Sequence, residues 1–414
     1  MGTADQAAAY PFYMTPTVEM HEPASGLLSG RLFDFAGRIR EIDPQLTRVL
    51  VPWMMRHRRY VPGFLRLART LKQSGRVRAR QQAAGVRVPP FLILSVTSRC
   101  NLRCSGCYAA AVGTVTSTPA RPGLGLEEWR RVVAEAAGLG VMAFIVAGGE
   151  PFLLPGIVDL FREFPDRLFL VFTNGTALKP EDLEALKKLS NIVVVVSLEG
   201  DRALTDHRRG AGVFDRALAC LDRLKEAGVL TGLAVTIEPG NVDYWSQPAN
   251  IDLLVAHSGP LAMFIEQIPE AGCDHGGHLT AEQRERFHQT VVAYRARQTG
   301  GAFIIHSPAD EEFLGGCVSA GRGFAHIAPT GDVTACPVSA LATHSVKTSS
   351  LREALSSSLF TMIRENGHLL ETEGHPCGLS AHAAELEAMA AGLGAYRSGV
   401  PDAAPASDLL VKIG

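Results

Sequence analysis

Acidic residues are missing from a long part of this 414-residue chain: none occurs between Pro44 and Leu126, where lysine and arginine occur 14 times. The formal net charge of -2 therefore averages a basic segment with an acidic remainder. A near-neutral total argues against a bulk polyanion binder, and no nucleic-acid partner is expected. Cysteine is sparse at 8 residues, too few for a disulfide-stapled scaffold. Long apolar runs are also missing. No stretch reaches the roughly 18 uncharged apolar residues that would cross a bilayer. The most apolar run, 141–154, is broken by Gly148-Gly149-Glu150-Pro151. The N-terminus lacks the charged and apolar regions of a signal peptide. A reducing, cytoplasmic setting is expected, where close-set cysteines bind metal more often than they pair.

What is present is ample core material, with 46% hydrophobic and 20% charged residues. Residues 1 to about 25 read as poorly structured, and 27–82 as helical with breaks at Pro44, Pro52, Pro62 and Gly63. Helical periodicity places Phe64, Leu65, Leu67, Ala68 and Leu71 toward one face, with Arg66, Arg69, Lys72 and Arg76 largely elsewhere. Such a segment is either a docking helix with a solvated basic face or, over 44–87, a contact with a membrane surface or an anionic ligand.

From residue 90 the pattern alternates. Apolar runs at 90–96, 141–147, 168–173, 191–198, 230–237 and 261–268 read as strands, with helical stretches between them. That order predicts an α/β fold of parallel strands with right-handed crossovers. The span 88–270 is shorter than the roughly 250 residues of a closed eight-unit barrel, so an open (β/α)6 partial barrel fits best. Its ligand site belongs at the carboxyl ends of the strands. Around it the chain divides into a helical extension (1–87), a glycine-rich region with a hairpin turning at 329–332 (271–380), and a C-terminal helix and tail (381–414).

Three of the cysteines, Cys100, Cys104 and Cys107, fall within eight residues, directly after the first strand. Thiolates are the ligands of iron–sulfur clusters, and three of them would leave one iron of a [4Fe–4S] cluster open. Arg99 and Arg103 would favour the thiolate form. A zinc site that borrows a distant histidine, or three plain thiols, are the other readings of the same residues.

Cys-x3-Cys-x2-Cys after the first strand of a βα array resembles the radical S-adenosylmethionine (radical SAM) superfamily. Other positions match in order: Gly148, Gly149, Glu150 and Pro151 after strand two, Thr173-Asn174-Gly175 after strand three, Ser197-Leu198-Glu199-Gly200 after strand four, and Asp206-x-x-Arg209. The resemblance implies an enzyme. Cys100, Cys104 and Cys107 would hold a [4Fe–4S] cluster that reductively cleaves S-adenosylmethionine to a 5′-deoxyadenosyl radical, which abstracts hydrogen from a metabolite, peptide or lipid. The glycines and Glu150 would meet the methionyl amine, Asn174 would lie beside the cofactor, Ser197 would bond ribose or carboxylate, and Arg209 would pair with the carboxylate. Gly106 stands where the family usually has an aromatic residue. Tyr108 is the neighbouring candidate for the adenine.

Cys317, Cys336 and Cys377 resemble the SPASM and twitch extensions of the same superfamily, which implies an auxiliary iron–sulfur cluster. Cys273 is a candidate fourth ligand or hydrogen donor, Glu266 a candidate base, and His275, His278 and His306 lesser candidates. An electron donor of flavodoxin or ferredoxin type is expected as a partner. A purely electron-transferring iron–sulfur protein and a zinc-binding regulator are the alternatives to an enzyme.

Overall fold

The computed structural model describes residues 44–117, 119, 121–268, 277–297, 302–312, 315–372 and 374–399. Its centre is one sheet. Seven strands lie side by side in chain order and run parallel: β1 (Phe91–Ser95), β2 (Ala143–Ala147), β3 (Leu168–Thr173), β4 (Ile192–Ser197), β5 (Thr231–Ile237), β6 (Leu261–Glu266) and β7 (Phe303–Ser307). Helices Leu126–Leu139, Ile157–Glu163, Pro180–Leu186, Val213–Glu226, Pro248–Ser258 and Ala281–Arg295 make the crossovers. Sequence explains the strands simply. The run Ile192–Val196 is entirely β-branched and buried on both faces, as a central parallel strand should be.

The two faces carry separate cores. Phe144, Val146, Phe169, Val171 and Phe264 pack into the large core that also takes in the crossover helices. Val193, Val195, Ala234 and Met263, with Leu170, Phe172 and Ile305, form a smaller apolar cluster. Alternation along each strand puts this second cluster on the opposite face.

Two features differ from the sequence expectation. β7 extends the six expected parallel units by one strand, pairing Leu261 with Phe303. The expected hairpin is β8 (Phe324–Ile327) and β9 (Asp332–Thr334), but it is not an outlying module. β8 joins the free edge of β1 in parallel, with Phe91 opposite Phe324. Then β9, β10 (Leu341–Ser345) and β11 (Tyr396–Arg397) continue antiparallel, so eleven strands share one sheet.

The N-terminal helices Pro44–Arg56 and Val61–Ala83 underlie the amino ends of the strands. Arg59 donates to the carbonyls of Lys187, Ala227 and Gly228, just before β4 and β5. The Tyr60 hydroxyl accepts from Leu230 N (2.9 Å). Arg78 donates to the Gly140 carbonyl (2.7 Å) ahead of β2. The apolar face expected of the second helix is split: Leu67, Ala68 and Leu71 are half-buried, whereas Phe64 and Leu65 are exposed. Among the described residues no helix is long and apolar enough to cross a membrane.

Candidate active site

The cysteine loop leaves the carboxyl end of β1 and is held against the end of β2 by backbone. Gly149 N donates to Thr97 O (2.8 Å) and Glu150 N to Arg99 O (2.9 Å). This contact explains the paired glycines. A Cβ on Gly149 would lie 2.0 Å from Arg99 O, and one on Gly148, at φ +116°, would lie 2.7 Å from Thr97 O. Their close approach is to the cysteine loop itself.

Cys100, Cys104 and Cys107 are unpaired and half-buried. Burial raises the Cys100 thiol above its ordinary range, and the neighbouring Glu150, Cys104 and Cys107 raise it further, against a backbone hydrogen bond from Leu102. Burial also raises Cys104, and there the Arg209 and Arg208 charges pull it down. The cations that favour the Cys104 thiolate are thus Arg208 and Arg209, where the sequence pointed to Arg99 and Arg103. Three thiols that would repel one another once ionised, beside two guanidiniums, suit a cationic iron–sulfur core, which Cys100, Cys104 and Cys107 would hold. Among the described residues no three His, Cys, Asp or Glu side chains converge on a point where a single ion would sit.

Glu150 is fully buried. It accepts from Phe152 N (3.2 Å) and Thr173 Oγ1 (2.8 Å) at one oxygen and from Asn174 N (2.8 Å) at the other. Burial pushes its ionisation up, while these three donors and Arg209 oppose that shift. A carboxylate accepts about four hydrogen bonds, so one position stays open. Pro151 starts the short 3-10 turn Pro151–Leu153 that presents Phe152 N. Asn174 turns its side chain to the cysteine loop: Nδ2 donates to Asn101 Oδ1 (2.9 Å), and Oδ1 accepts from Thr176 N (2.8 Å) and Thr176 Oγ1 (2.7 Å). Asn101 closes the ring on Thr176 Oγ1 (2.8 Å).

The helix Arg202–Arg209 supplies two arginines. Arg209 pairs with Glu199 through Nε (2.8 Å) and Nη2 (2.6 Å). Burial works against its charge, but Glu199, Cys104 and Cys107 outweigh it and hold the guanidinium protonated. Arg208 ties four strand ends together. It reaches Glu199 (3.4 Å) after β4, Glu238 (2.7 Å) after β5, Gln267 (3.5 Å) after β6 and the Gly106 carbonyl (3.1 Å) in the cysteine loop. Its own carbonyl accepts from Ser105 N (2.8 Å). Arg208 lies outside the Asp206-x-x-Arg209 motif, and the double arginine beside that motif is the only sign of it in the sequence. Gly106 sits at φ +63°, and a Cβ there would meet Gln267 Nε2 at 3.2 Å and Arg208 Nη2 at 3.8 Å. A larger side chain there would press on both and would have to take a left-handed backbone that favours glycine. Ser197 is half-buried at the end of β4, and Tyr108, 37% exposed, opens the turn after Cys107.

Glu266 lies with the core-facing residues of β6 and is gripped bidentately by Arg284, at 2.9 and 2.5 Å. Gln267 is the residue that faces the cysteine loop. Cys273 and His275 lie outside the described residues. His278 is exposed. His306 packs edge-on to Phe287, with ring centroids 4.9 Å apart, in the helix-side core. Burial pushes it down to about 3.

Cys317, Cys336 and Cys377 are buried. Burial raises the Cys317 and Cys336 thiols, and each feels the charge of Cys377 as well. The three therefore share one neighbourhood, with Ser380 N donating to Cys377 Sγ (3.4 Å). Tyr108 feels both sets: although the residue as a whole is 37% exposed, desolvation of its phenol, then Cys107 and Cys336, push that group up.

This fold and site define a class. Residues 94–244 match the model of the Radical SAM superfamily, and the chain carries a radical SAM domain. Such a domain takes a [4Fe–4S] cluster and S-adenosylmethionine. The chain is 35% identical over 183 residues to Fe-coproporphyrin III synthase of Methanosarcina barkeri, covering 43% of this chain and 44% of that protein. It is 32% identical over 180 residues to the sporulation killing factor maturation protein SkfB of Bacillus subtilis, covering 42% of each. The matched part is thus less than half the length of these curated relatives. The fold is similar to Streptococcus suis SuiB bound to its precursor peptide SuiA, with TM-score 0.58, 17% identity and 75% of each chain covered.

Proposed function

We propose that this protein is a radical SAM enzyme that removes a hydrogen atom from a peptide or small-molecule substrate. The observation that carries the reading is the cysteine loop, seated by Gly148 and Gly149 between a buried carboxylate with one open acceptor position and two arginines, Arg208 buried and Arg209 half-buried. When bound, the cluster and S-adenosylmethionine supply one-electron cleavage of a carbon–sulfur bond and a hydrogen-abstracting radical. The chain's own residues do the rest. Cys100, Cys104 and Cys107 hold the cluster. Glu150 accepts from the methionyl amine through its remaining lone pair, and Arg209 pairs with the carboxylate through donors that Glu199 leaves free. Ser197 meets the ribose, and Tyr108 borders the adenine. Asn174 acts through Asn101, by fixing the cysteine loop. Glu266 is committed to Arg284 and has no part as a base in this scheme.

Cys317, Cys336 and Cys377 form a second, auxiliary iron–sulfur site. A cytoplasmic electron donor of flavodoxin or ferredoxin type supplies the reducing electron. Leu170, Phe172 and Ile305, half-buried on the smaller apolar cluster, favour a substrate with a sizeable apolar portion. The experiment is direct. Anaerobically reconstituted protein with reductant and S-adenosylmethionine should release 5′-deoxyadenosine, and none should form when Cys104→Ala is used. Protein that holds its cluster and yields no 5′-deoxyadenosine overturns the reading.

A further inference from the structure

The helix Val61–Ala83 docks the wrong way round for a simple packing helix. Its buried residues are Gly63, Thr70, Ser74 and Arg78. They let backbones approach closely: a Cβ on Gly63 would lie 2.2 Å from Ser190 Oγ, and one on Gly140 would lie 2.9 Å from Ser74 O. The price is that the large apolar residues of its first turns point outward, while Leu67 and Leu71 stay half-buried. Val61 (42%), Phe64 (45%) and Leu65 (50%) are exposed, and so are Val51 (42%) and Met55 (71%) on the preceding helix. Among the described residues these are five of seven large hydrophobics with such exposure. Burying five apolar side chains in water-excluded surroundings is favourable, and a monomer rarely gathers them on one short stretch without a use for them.

Charge surrounds them. Further along the same outward face stand Arg69, Lys72 and Arg76, with Arg56, Arg58 and Arg66 beside the apolar tip, all exposed. No Asp or Glu lies anywhere from Pro44 to Leu126. None of the ion pairs among the described residues engages Arg56, Arg66, Arg69, Lys72 or Arg76. An apolar tip flanked by unpaired cations matches an anionic bilayer: the side chains enter the headgroup boundary and the cations meet lipid phosphates.

We propose that residues 51–76 form a peripheral docking surface for an anionic lipid bilayer. The surface lies at the amino ends of the strands. The cysteine loop leaves β1 at the opposite end, so a docked molecule turns its cluster site away from the lipid.

The test uses the full chain and two vesicle types, pure phosphatidylcholine and phosphatidylcholine with about one-third phosphatidylglycerol, by sedimentation at low and high salt. The protein should partition into the anionic vesicles at least about tenfold more than into the neutral ones, with most of that difference lost at high salt. Phe64→Ser with Leu65→Ser should weaken partition at least about tenfold, and so should Arg69→Glu with Lys72→Glu. Leu253→Ser, at an exposed leucine elsewhere, should leave it unchanged. Circular dichroism reports whether each variant folds, and the two pairs of changes are independent. Absence of anionic-vesicle binding overturns the proposal, as does binding indifferent to both pairs. Two other outcomes also overturn it. If Phe64→Ser/Leu65→Ser turns a lipid-free dimer into a monomer, the occupant is a second copy. If amide exchange at 57–70 speeds up on removal of residues 1–43, with their six acidic residues, the occupant is this chain's own N-terminus.

Discussion

The Glu150 carboxylate accepts three hydrogen bonds, and two of them, from Thr173 Oγ1 and Asn174 N, join the end of β2 to the end of β3. Glu150→Gln keeps the shape but replaces one acceptor oxygen by an NH2 that faces a donor. The expected cost is about 1–3 kcal/mol of stability, because a buried donor loses its partner. Urea denaturation measures it, and release of 5′-deoxyadenosine should fall in the same variant. Arg208→Lys probes geometry more than charge. A lysine cannot span Glu238, Gln267 and the Gly106 carbonyl as the guanidinium does. Cluster content, read from the visible absorbance, should drop although the net charge is unchanged. The motif residues Glu150 and Arg209 were legible because residue type and order suffice to find them. The division of labour between Glu266 and Gln267 was not. One step along a strand reverses the face, and only the approach of Gln267 Nε2 to Gly106 shows which of the two turns to the cysteine loop.

Strands with long apolar runs, β1 to β6, announced themselves in the sequence. β7 (FIIHS) and β10 (LATHS) did not, since both are short and carry polar residues. They were legible only through the neighbours whose edges they cover. β8 shows how such an element is held. His326 Nε2 bonds Ser95 Oγ (2.8 Å) on β1, and Nδ1 bonds Thr334 Oγ1 (2.7 Å) on β9. Thr334 Oγ1 in turn donates to the Cys336 carbonyl (3.0 Å). Burial pushes His326 down to about 3, so the folded protein keeps it neutral while the unfolded chain protonates it near 6.5. Between those two values the unfolded state binds the extra proton, and stability falls as pH falls. The slope is about 1.4 kcal/mol per pH unit for one such group, and His306 adds a similar contribution. The urea midpoint should therefore fall from pH 7 to pH 5, and His326→Asn should reduce that dependence while lowering stability at pH 7. On the loop side, Gly149→Ala places a methyl against Arg99 O. That crowding should cost about 1–3 kcal/mol, and the iron content of the site should fall with the displaced cysteine loop.

Across the whole molecule the sheet is continuous where the sequence suggested a boundary near residue 270. Composition shifts there, from apolar strands to glycine-rich turns, yet β7 covers the edge of β6 and β8 covers the edge of β1. Cys317, Cys336 and Cys377 belong to the same large core as Leu92 and Phe144. A chain cut after residue 269 would expose two apolar strand edges at once, Phe91–Leu94 on one side and Leu261–Ile265 on the other. Unpaired edges of this kind template association with other chains. The truncated protein should aggregate or fail to fold, whereas the full chain should unfold in one transition. Size-exclusion chromatography and thermal unfolding of both forms check this. A monodisperse, cooperatively folding fragment ending at 269 would show that the strand pairs added after that point are dispensable, and that the apolar edges of β1 and β6 are shielded by something other than β8 and β7.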